Sequence, residues 1–428
     1  MPDDPKRHPG RLSSRAAHAV AVLGGAAMRG PLQDLLRSRG LRLDHWEHLR
    51  SHHRPGGAVS ALYRVRCRPA GPVPPAGAGS TADLTLYLGA TTAGAAETGE
   101  TPLNAAGPET AAARIAGLDL CLWFHPHDPV LRSLPWATDA SAVARDVFAS
   151  AEPGRLALAA YRPLRRAVLR AEHAHGTAYL KLLPPAQLPA LRRRHRLLEA
   201  SAVPAPLLLP ADSAAARDAV VLGALPGTSL FRLLVDDGAA GVRPGVLLEL
   251  LDALPSGALD LPLRLSWADR VEEYAGTAAA AVPAETDSIW KLAGEIREVL
   301  ESAPAGPLVP VHGDFHEGNL LLSDGTVTGL LDIDGLGPGH RVDDLACLLG
   351  HLAVLAAAHP DRPQLGQALA DYRRVFEEAV DPAALHARAA GVVLTLVAGA
   401  RARRGVSRGR NAVLRLDTAR RLLREAQQ

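Results

Sequence analysis

His312-Gly-Asp-Phe-His-Glu-Gly-Asn319, followed one apolar run later by Leu331-Asp-Ile-Asp334, is the stretch on which the reading of this 428-residue chain turns. It offers an Asp and an Asn at fixed spacing on a tight loop, and a second Asp at the end of the next apolar run. Phosphoryl transfer asks for this set: a carboxylate to orient an attacking hydroxyl, and a few oxygen ligands to hold Mg²⁺ against phosphates. Asp314 is the candidate for the first role. Asn319 and Asp332 are the candidate Mg²⁺ ligands, since one amide and one carboxylate suit an ion that keeps waters and phosphate oxygens in its shell. An Asp after Gly is often only a turn residue, but the partners at 319 and 332 argue for chemistry. Asp334 either assists the metal or hydrogen-bonds the loop. A rival reading takes His312, Asp314 and His316 as transition-metal ligands of a hydrolase. It needs further ligands, for which only scattered residues such as His340 and His351 offer themselves, and it leaves Asn319 and Asp332 unexplained.

His312-Gly-Asp-x-x-x-x-Asn319, then Leu330-Leu-Asp-Ile-Asp334 and Pro338-Gly-His-Arg-Val-Asp-Asp-Leu-Ala346, resembles the aminoglycoside phosphotransferase/choline kinase superfamily. These are small-molecule kinases of the protein-kinase-like fold. The likeness is specific from Val309 to Leu349 and weaker from about residue 155 to the C-terminus. It implies ATP or GTP as phosphoryl donor, Mg²⁺, and a hydroxyl on a small molecule as acceptor. It makes Asp314 the catalytic base, His312 a positioner of the loop, and Asp344 a structural brace. The strand Tyr179-Leu-Lys-Leu-Leu183 corresponds to the one that carries the phosphate-binding lysine, here Lys181. An inward lysine in an apolar strand is costly unless paired. The family's carboxylate partner lies on the next helix, where Glu199 is the only acid; Arg192-Arg-Arg-His-Arg196 places bases earlier. Val221, Leu222 and Ala224 correspond to the nucleotide hinge. Tyr161-Arg-Pro-Leu-Arg-Arg166 takes the place of a Gly-x-Gly phosphate loop and lacks its glycines; Arg165 or Arg166 is a candidate phosphate contact.

Composition sets the frame. Hydrophobic residues make up 47% and charged residues 21%, as in a folded soluble protein, and the formal net charge of +2 gives no case for nucleic acid. With 4% aromatics the chain also lacks the stacking residues of a single-strand binder. Cys67, Cys121 and Cys347 form neither a disulfide framework nor a metal spacing, which points to a reducing cytoplasm. No run of 18 apolar residues is present, so neither a membrane span nor a membrane partner is expected. Heavy use of Ala, Arg and Pro suggests a GC-rich, actinobacterial source. A pseudokinase would lack one of Asp314, Asn319, Asp332 or Lys181, and all four are present.

The expected architecture is α+β: a two-lobed protein-kinase-like fold preceded by an extra α+β domain. Residues 1–150 form the N-terminal cap domain, 151–225 the kinase N-lobe, and 226–428 the C-lobe. Polar residues 2–11 read as a mobile start, and 16–39 as one amphipathic helix ending near Gly40. Strands are expected at 59–66, 82–88 and 118–124, with a flexible Pro/Gly loop over 69–80. Ala157–Leu169 and Thr177–Leu183 form a second pair that echoes the first, with Gly89 where the second copy has Lys181. A helix covers 189–201 and a short strand 220–225; beyond it the reading is mostly helical, with segments over 229–234, 246–254, 266–281 and 288–302 and helices from Asp343 to the end.

By the same resemblance the C-terminal helices line the acceptor pocket. Arg401-Ala-Arg-Arg404 and Arg408-Gly-Arg410 fall there, and a basic pocket would repel a polycation. A solvated basic helix face is the commoner fate of such a run. The acceptor expected is therefore a non-aminoglycoside antibiotic, with self-resistance as the purpose, or a sugar. A maltokinase-like sugar kinase of primary metabolism is the alternative, and a metallohydrolase or pseudokinase the remoter readings.

Overall fold

The computed structural model describes residues 14–53, 58–70, 83–92, 109–211, 213–400 and 406–428. Expectations for residues 2–11, most of the 69–80 loop and Arg401–Arg404 lie outside these. The chain forms two compact units, Leu12–Pro189 with Leu208–Ala224, and Ala190–Leu207 with Leu225–Gln428.

The first unit is rich in β-structure. Its opening helical segment is divided: α1 (Ser14–Gly24) and α2 (Arg29–Arg37) are separated at Gly24-Gly25, where a Cβ on Gly25 would stand 2.8 Å from the Ala21 carbonyl oxygen. Both helices pack on a five-stranded antiparallel sheet built from β1 (Leu41–His53), β2 (Val59–Pro69), β3 (Leu84–Thr91), β4 (Thr110–Ile115) and β5 (Leu118–Phe124), in the order β1-β2-β3-β5-β4. β1 and β4 escape the sequence reading because they are edge strands with few buried side chains. β1 alternates charges and carries two register shifts, as edges protected from further pairing do. Gly89 on β3 leaves room for the Trp123 ring, since a Cβ there would lie 2.1 Å from it. After α3 (Leu134–Ala137) and α4 (Ala140–Phe148) comes a second antiparallel sheet in chain order, β6 (Arg155–Arg162), β7 (Arg166–His173), β8 (Gly176–Leu182) and β9 (Ala219–Gly223). The strand read from 157 to 169 is two strands, because Leu164 takes a left-handed conformation at φ 61 and turns the chain. That turn is anchored. The buried Asp128 carboxylate accepts the Leu164 N–H, the Tyr161 hydroxyl and the N–H groups of Val130 and Leu131.

The second unit is mostly helical. α5 (Leu188–Glu199) leads into it from the first unit. Beyond β9 follow β10 (Thr228–Ser229), α6 (Leu230–Asp237), α7 (Gly245–Asp252), α8 (Val271–Ala281) and α9 (Thr286–Ser302). Ser229 caps α6 by accepting the Arg232 N–H. Four short strands come next: β11 (Leu308–Val311), β12 (Leu320–Ser323), β13 (Thr326–Leu330) and β14 (Gly337–His340). They lead to α10 (Arg341–Ala358), α11 (Pro363–Ala379), α12 (Pro382–Val397) and α13 (Arg408–Ala426). α10 and α12 form the helical core, with α8, α9, α11 and α13 packed around them. α12 is buried along almost its whole length, and its Arg388 reaches across to Asp343 and Asp269. Among the described residues no helix is long and apolar enough to cross a membrane.

Candidate active site

Strand pairing decides where the two sequence motifs meet. β11 pairs with β14 and β12 pairs with β13, both antiparallel. The 312–319 loop runs from β11 to β12, and the 331–336 turn runs from β13 to β14. Both ends of the loop therefore lie beside both ends of the turn. The Leu331 N–H donates to the Asn319 carbonyl at 2.8 Å on one side. On the other, Gly313 and Gly335 approach backbone to backbone: a Cβ on Gly313 would lie 2.8 Å from the Gly335 oxygen, and one on Gly335 2.7 Å from the His312 oxygen. Gly313 also sits at φ +81, a conformation that favours glycine.

The loop is held by buried polar groups. Asp344, in the first turn of α10, accepts the N–H of His312 at 2.7 Å and of Gly313 at 2.8 Å. Its carboxyl is pushed up to about 7, chiefly by burial, against the pull of those two donors. His312 is fully buried and spends both ring nitrogens on backbone: Nε2 donates to the Leu331 carbonyl at 2.9 Å, and Nδ1 accepts the Asp314 N–H at 3.3 Å. Burial also lowers its pKa, which agrees with a neutral ring in that tautomer. His312 thus has no ring nitrogen left for a metal, and the His312-Asp314-His316 ligand set of the hydrolase reading does not form.

Asp314 emerges from this frame with its carboxylate a third exposed. Asn319 is buried, and its Nδ2 donates to the Asp314 carbonyl at 2.9 Å. That bond fixes the amide, nitrogen toward the loop and oxygen to the other side, the orientation a cation ligand needs. Asp332 is half-buried at φ 54, a left-handed conformation that Asp tolerates better than most residues and that sets the start of the turn. The donor set therefore fits Mg²⁺: one amide oxygen and one carboxylate from adjoining segments.

Sequence reasoning missed two supports of the turn. Arg194 on α5, buried among the bases noted there, donates its Nε to the Leu336 carbonyl at 2.8 Å. Arg264 donates to the Asp334 carbonyl at 2.8 Å. A run of arginines on a helix gives no clue to which one turns inward.

The remaining candidates belong to the first unit or to α5. Lys181 is buried in β8, paired in register with Val168 and Val220. Val221 is buried in β9, where its carbonyl accepts the Leu209 N–H; Leu222 is half-buried, and the Ala224 N–H donates to Thr177. Glu199 is the last residue of α5 and is exposed. In the turn before β7, Leu164 is buried while Arg165 is exposed and Arg166 half-buried.

A hairpin-bracketed loop bearing Asp314 and Asn319, packed against a turn bearing Asp332 and followed by a helical core, defines a kinase-like α+β enzyme. The model of the phosphotransferase enzyme family matches residues 164–391, more than half of the chain. The chain belongs to that family and is a small-molecule phosphotransferase. No curated protein matches it. Among solved structures, a thermostable mutant of aminoglycoside phosphotransferase APH(4)-Ia in apo form is 16% identical, with a TM-score of 0.47 over 63% of this chain and 94% of that one. A ternary complex of a thermostable mutant of the same enzyme with ADP and hygromycin B gives 16%, 0.44, 63% and 94%. Aminoglycoside phosphotransferase APH(3'')-Id from Streptomyces rimosus is 22% identical, with a TM-score of 0.36 over 59% and 89%.

Proposed function

We propose that the chain transfers the γ-phosphoryl group of ATP or GTP to a hydroxyl of a small molecule, with Asp314 orienting that hydroxyl and accepting its proton. The observation that carries this is the fixed juxtaposition of Asp314, Asn319 and the 332 turn: the Asp314 N–H donates to His312, the Asn319 amide nitrogen donates to the Asp314 carbonyl, and the Leu331 N–H donates to the Asn319 carbonyl. Bound Mg²⁺ would neutralise charge on the phosphates and hold them in line. Asn319 and Asp332 would hold it. Lys181 supplies a positive partner for the α- and β-phosphates, while Val221, Leu222 and Ala224 supply the hinge. Glu199 is proposed as the lysine's counter-ion, and its exposure makes it the weakest member of the set. Residues 1–150 are proposed as a cap domain, with 151–225 and 226–428 as the two lobes, and the cytoplasm as the compartment.

The acceptor proposed is a non-aminoglycoside antibiotic or a sugar, with a maltokinase-like role as the alternative. The basic cluster behind the first preference lends it little in the described residues. Arg408 and Arg410 are exposed, Arg415 donates to the Leu396 carbonyl, and Arg420 pairs with Glu285 and Asp417. The deciding experiment measures ATP- and GTP-dependent phosphate incorporation into a panel of sugars, hydroxylated antibiotics and aminoglycosides. Micromolar KM for kanamycin or neomycin would overturn the preference. Failure to phosphorylate any acceptor, with no nucleotide binding, would overturn the kinase reading.

Four variants test the nucleotide site. Asn319→Ala and Asp332→Ala should raise the Mg²⁺ concentration for half-maximal turnover by about tenfold or more, because each removes one oxygen ligand. An unchanged Mg²⁺ requirement would remove them from the site. Lys181→Ala should lower kcat/KM for the nucleotide by about 10²–10³-fold, the scale for losing one electrostatic partner in a partly dry site. Glu199→Gln should lower the same ratio by a smaller factor, because Glu199 is exposed.

A further inference from the structure

The catalytic loop carries two side chains that phosphoryl transfer leaves unused, His316 and Glu317. α10 brings His351 against them. The two imidazoles stack with centroids 4.6 Å apart and planes 9° from parallel. Both turn a ring nitrogen toward the same carboxylate oxygen, His351 Nδ1 at 3.2 Å and His316 Nδ1 at 3.9 Å from Glu317 Oε2. That oxygen is buried and faces the His351 ring nitrogen. A buried carboxylate is costly unless it has a hydrogen-bonding or positively charged partner.

These distances have a simple reading. Ligands about 2.0–2.2 Å from a tetrahedral centre stand roughly 3.4 Å from one another. The three candidate donor atoms lie within 4.8 Å of one another, and rotation of the two rings out of their near-parallel stack would aim both at one ion. Two imidazoles and a carboxylate suit Zn²⁺, whereas Mg²⁺ prefers oxygen alone. His316 and His351 are each about a fifth to a quarter exposed, which leaves an approach for the ion and for a water as fourth ligand. The Gly318 N–H now donates to His316 Nδ1 at 3.1 Å; Gly318 is exposed, so that donor can pass to water when the nitrogen takes a metal.

We propose that His316, Glu317 and His351 bind a transition-metal ion of the Zn²⁺ class, at a second site separate from the Asn319 and Asp332 ligands. Two of its three ligands lie between Asp314 and Asn319, and the third lies on α10. Occupancy therefore ties the middle of the catalytic loop to the helical core.

The test is a Zn²⁺ titration of chelator-treated protein against a chromogenic competitor, without Mg²⁺ or nucleotide, paired with thermal melts. The parent chain should take up one Zn²⁺ per chain at micromolar or tighter affinity and melt at a higher temperature when loaded. His351→Ala and Glu317→Gln should each weaken uptake by about 100-fold or more, since even outer-sphere changes cost 10–100-fold, and should abolish the rise in Tm. Asp332→Ala should take up Zn²⁺ as the parent does. Circular dichroism of His351→Ala separates lost binding from lost folding. Absence of uptake by the parent, or uptake unchanged in both folded variants, would overturn the site. The outcome is independent of the phosphotransferase reading: His351→Ala should keep Mg²⁺-dependent turnover, and Zn²⁺ binding without any turnover would leave this site standing while removing the other.

Discussion

Asp314→Ala is expected to fold as the parent does and to lose about 10²–10⁴-fold in turnover, the range for a positioned general base. The two halves of that expectation have separate causes. What Asp314 gives to the fold it gives through its backbone: its N–H donates to His312 and its carbonyl accepts from Asn319. An alanine keeps both bonds. What it gives to the reaction it gives through a carboxylate that reaches solvent and is free to meet an incoming hydroxyl. A coupled ADP assay should show the loss in kcat with little change in nucleotide KM, and the melting temperature should stay within a few degrees. Turnover near the parent level would move the base elsewhere.

The second large effect is on stability. Asp344→Ala should destabilise the chain by about 1–3 kcal/mol or somewhat more, because it leaves the buried His312 N–H without an acceptor and takes the acceptor from the half-buried Gly313 N–H as well. Hydrogen exchange should speed up first at those two amides, and turnover should fall with the loosened loop. The effect depends on pH. Burial pushes the folded-state carboxyl from 3.8 up to about 7, so the folded state holds a proton that the unfolded chain has released. The stability this protonation contributes is complete below the unfolded value and is lost as pH rises through about 7. The parent should therefore lose stability across that window, and Asp344→Ala should lose less. Denaturant titrations over the window that gave parallel slopes for the two proteins would contradict this assignment.

The motifs were legible because their spacing is short-range. Asp314, Asn319 and Asp332 lie within one hairpin and its flanks, so sequence distance nearly dictates spatial distance. His312 as a positioner and Asp344 as a brace came from the family resemblance, and both side chains hydrogen-bond backbone of the loop or its neighbouring turn. Elements that depend on distant partners were not. β1 is strand only because β2 lends it hydrogen bonds, and its Arg, His and Asp residues conceal it. Arg194 acts through one inward turn of a basic helix, which no periodicity singles out. The His316–Glu317–His351 cluster needs α10 folded back over the loop; its ends are 35 positions apart, and in the sequence His351 stands only as one scattered histidine among several. The break in the first helix could have been foreseen from Gly24-Gly25, a pair that weakens any helix passing through it.

The contact of Gly313 with Gly335 has a consequence for how such an enzyme diverges. Because two stretches of main chain touch with no side chain between them, the span from the Asp314 loop to the Asp332 turn is set by the thickness of a peptide backbone. Drift in the surrounding core can alter volumes and rotamers without altering that thickness. The helices downstream are then at liberty to change shape and charge from one descendant to the next. Acceptor preference can wander while the phosphoryl-transfer gauge stays constant, and a library that varies the helices but spares these two glycines should yield many inactive pockets yet few broken reaction centres.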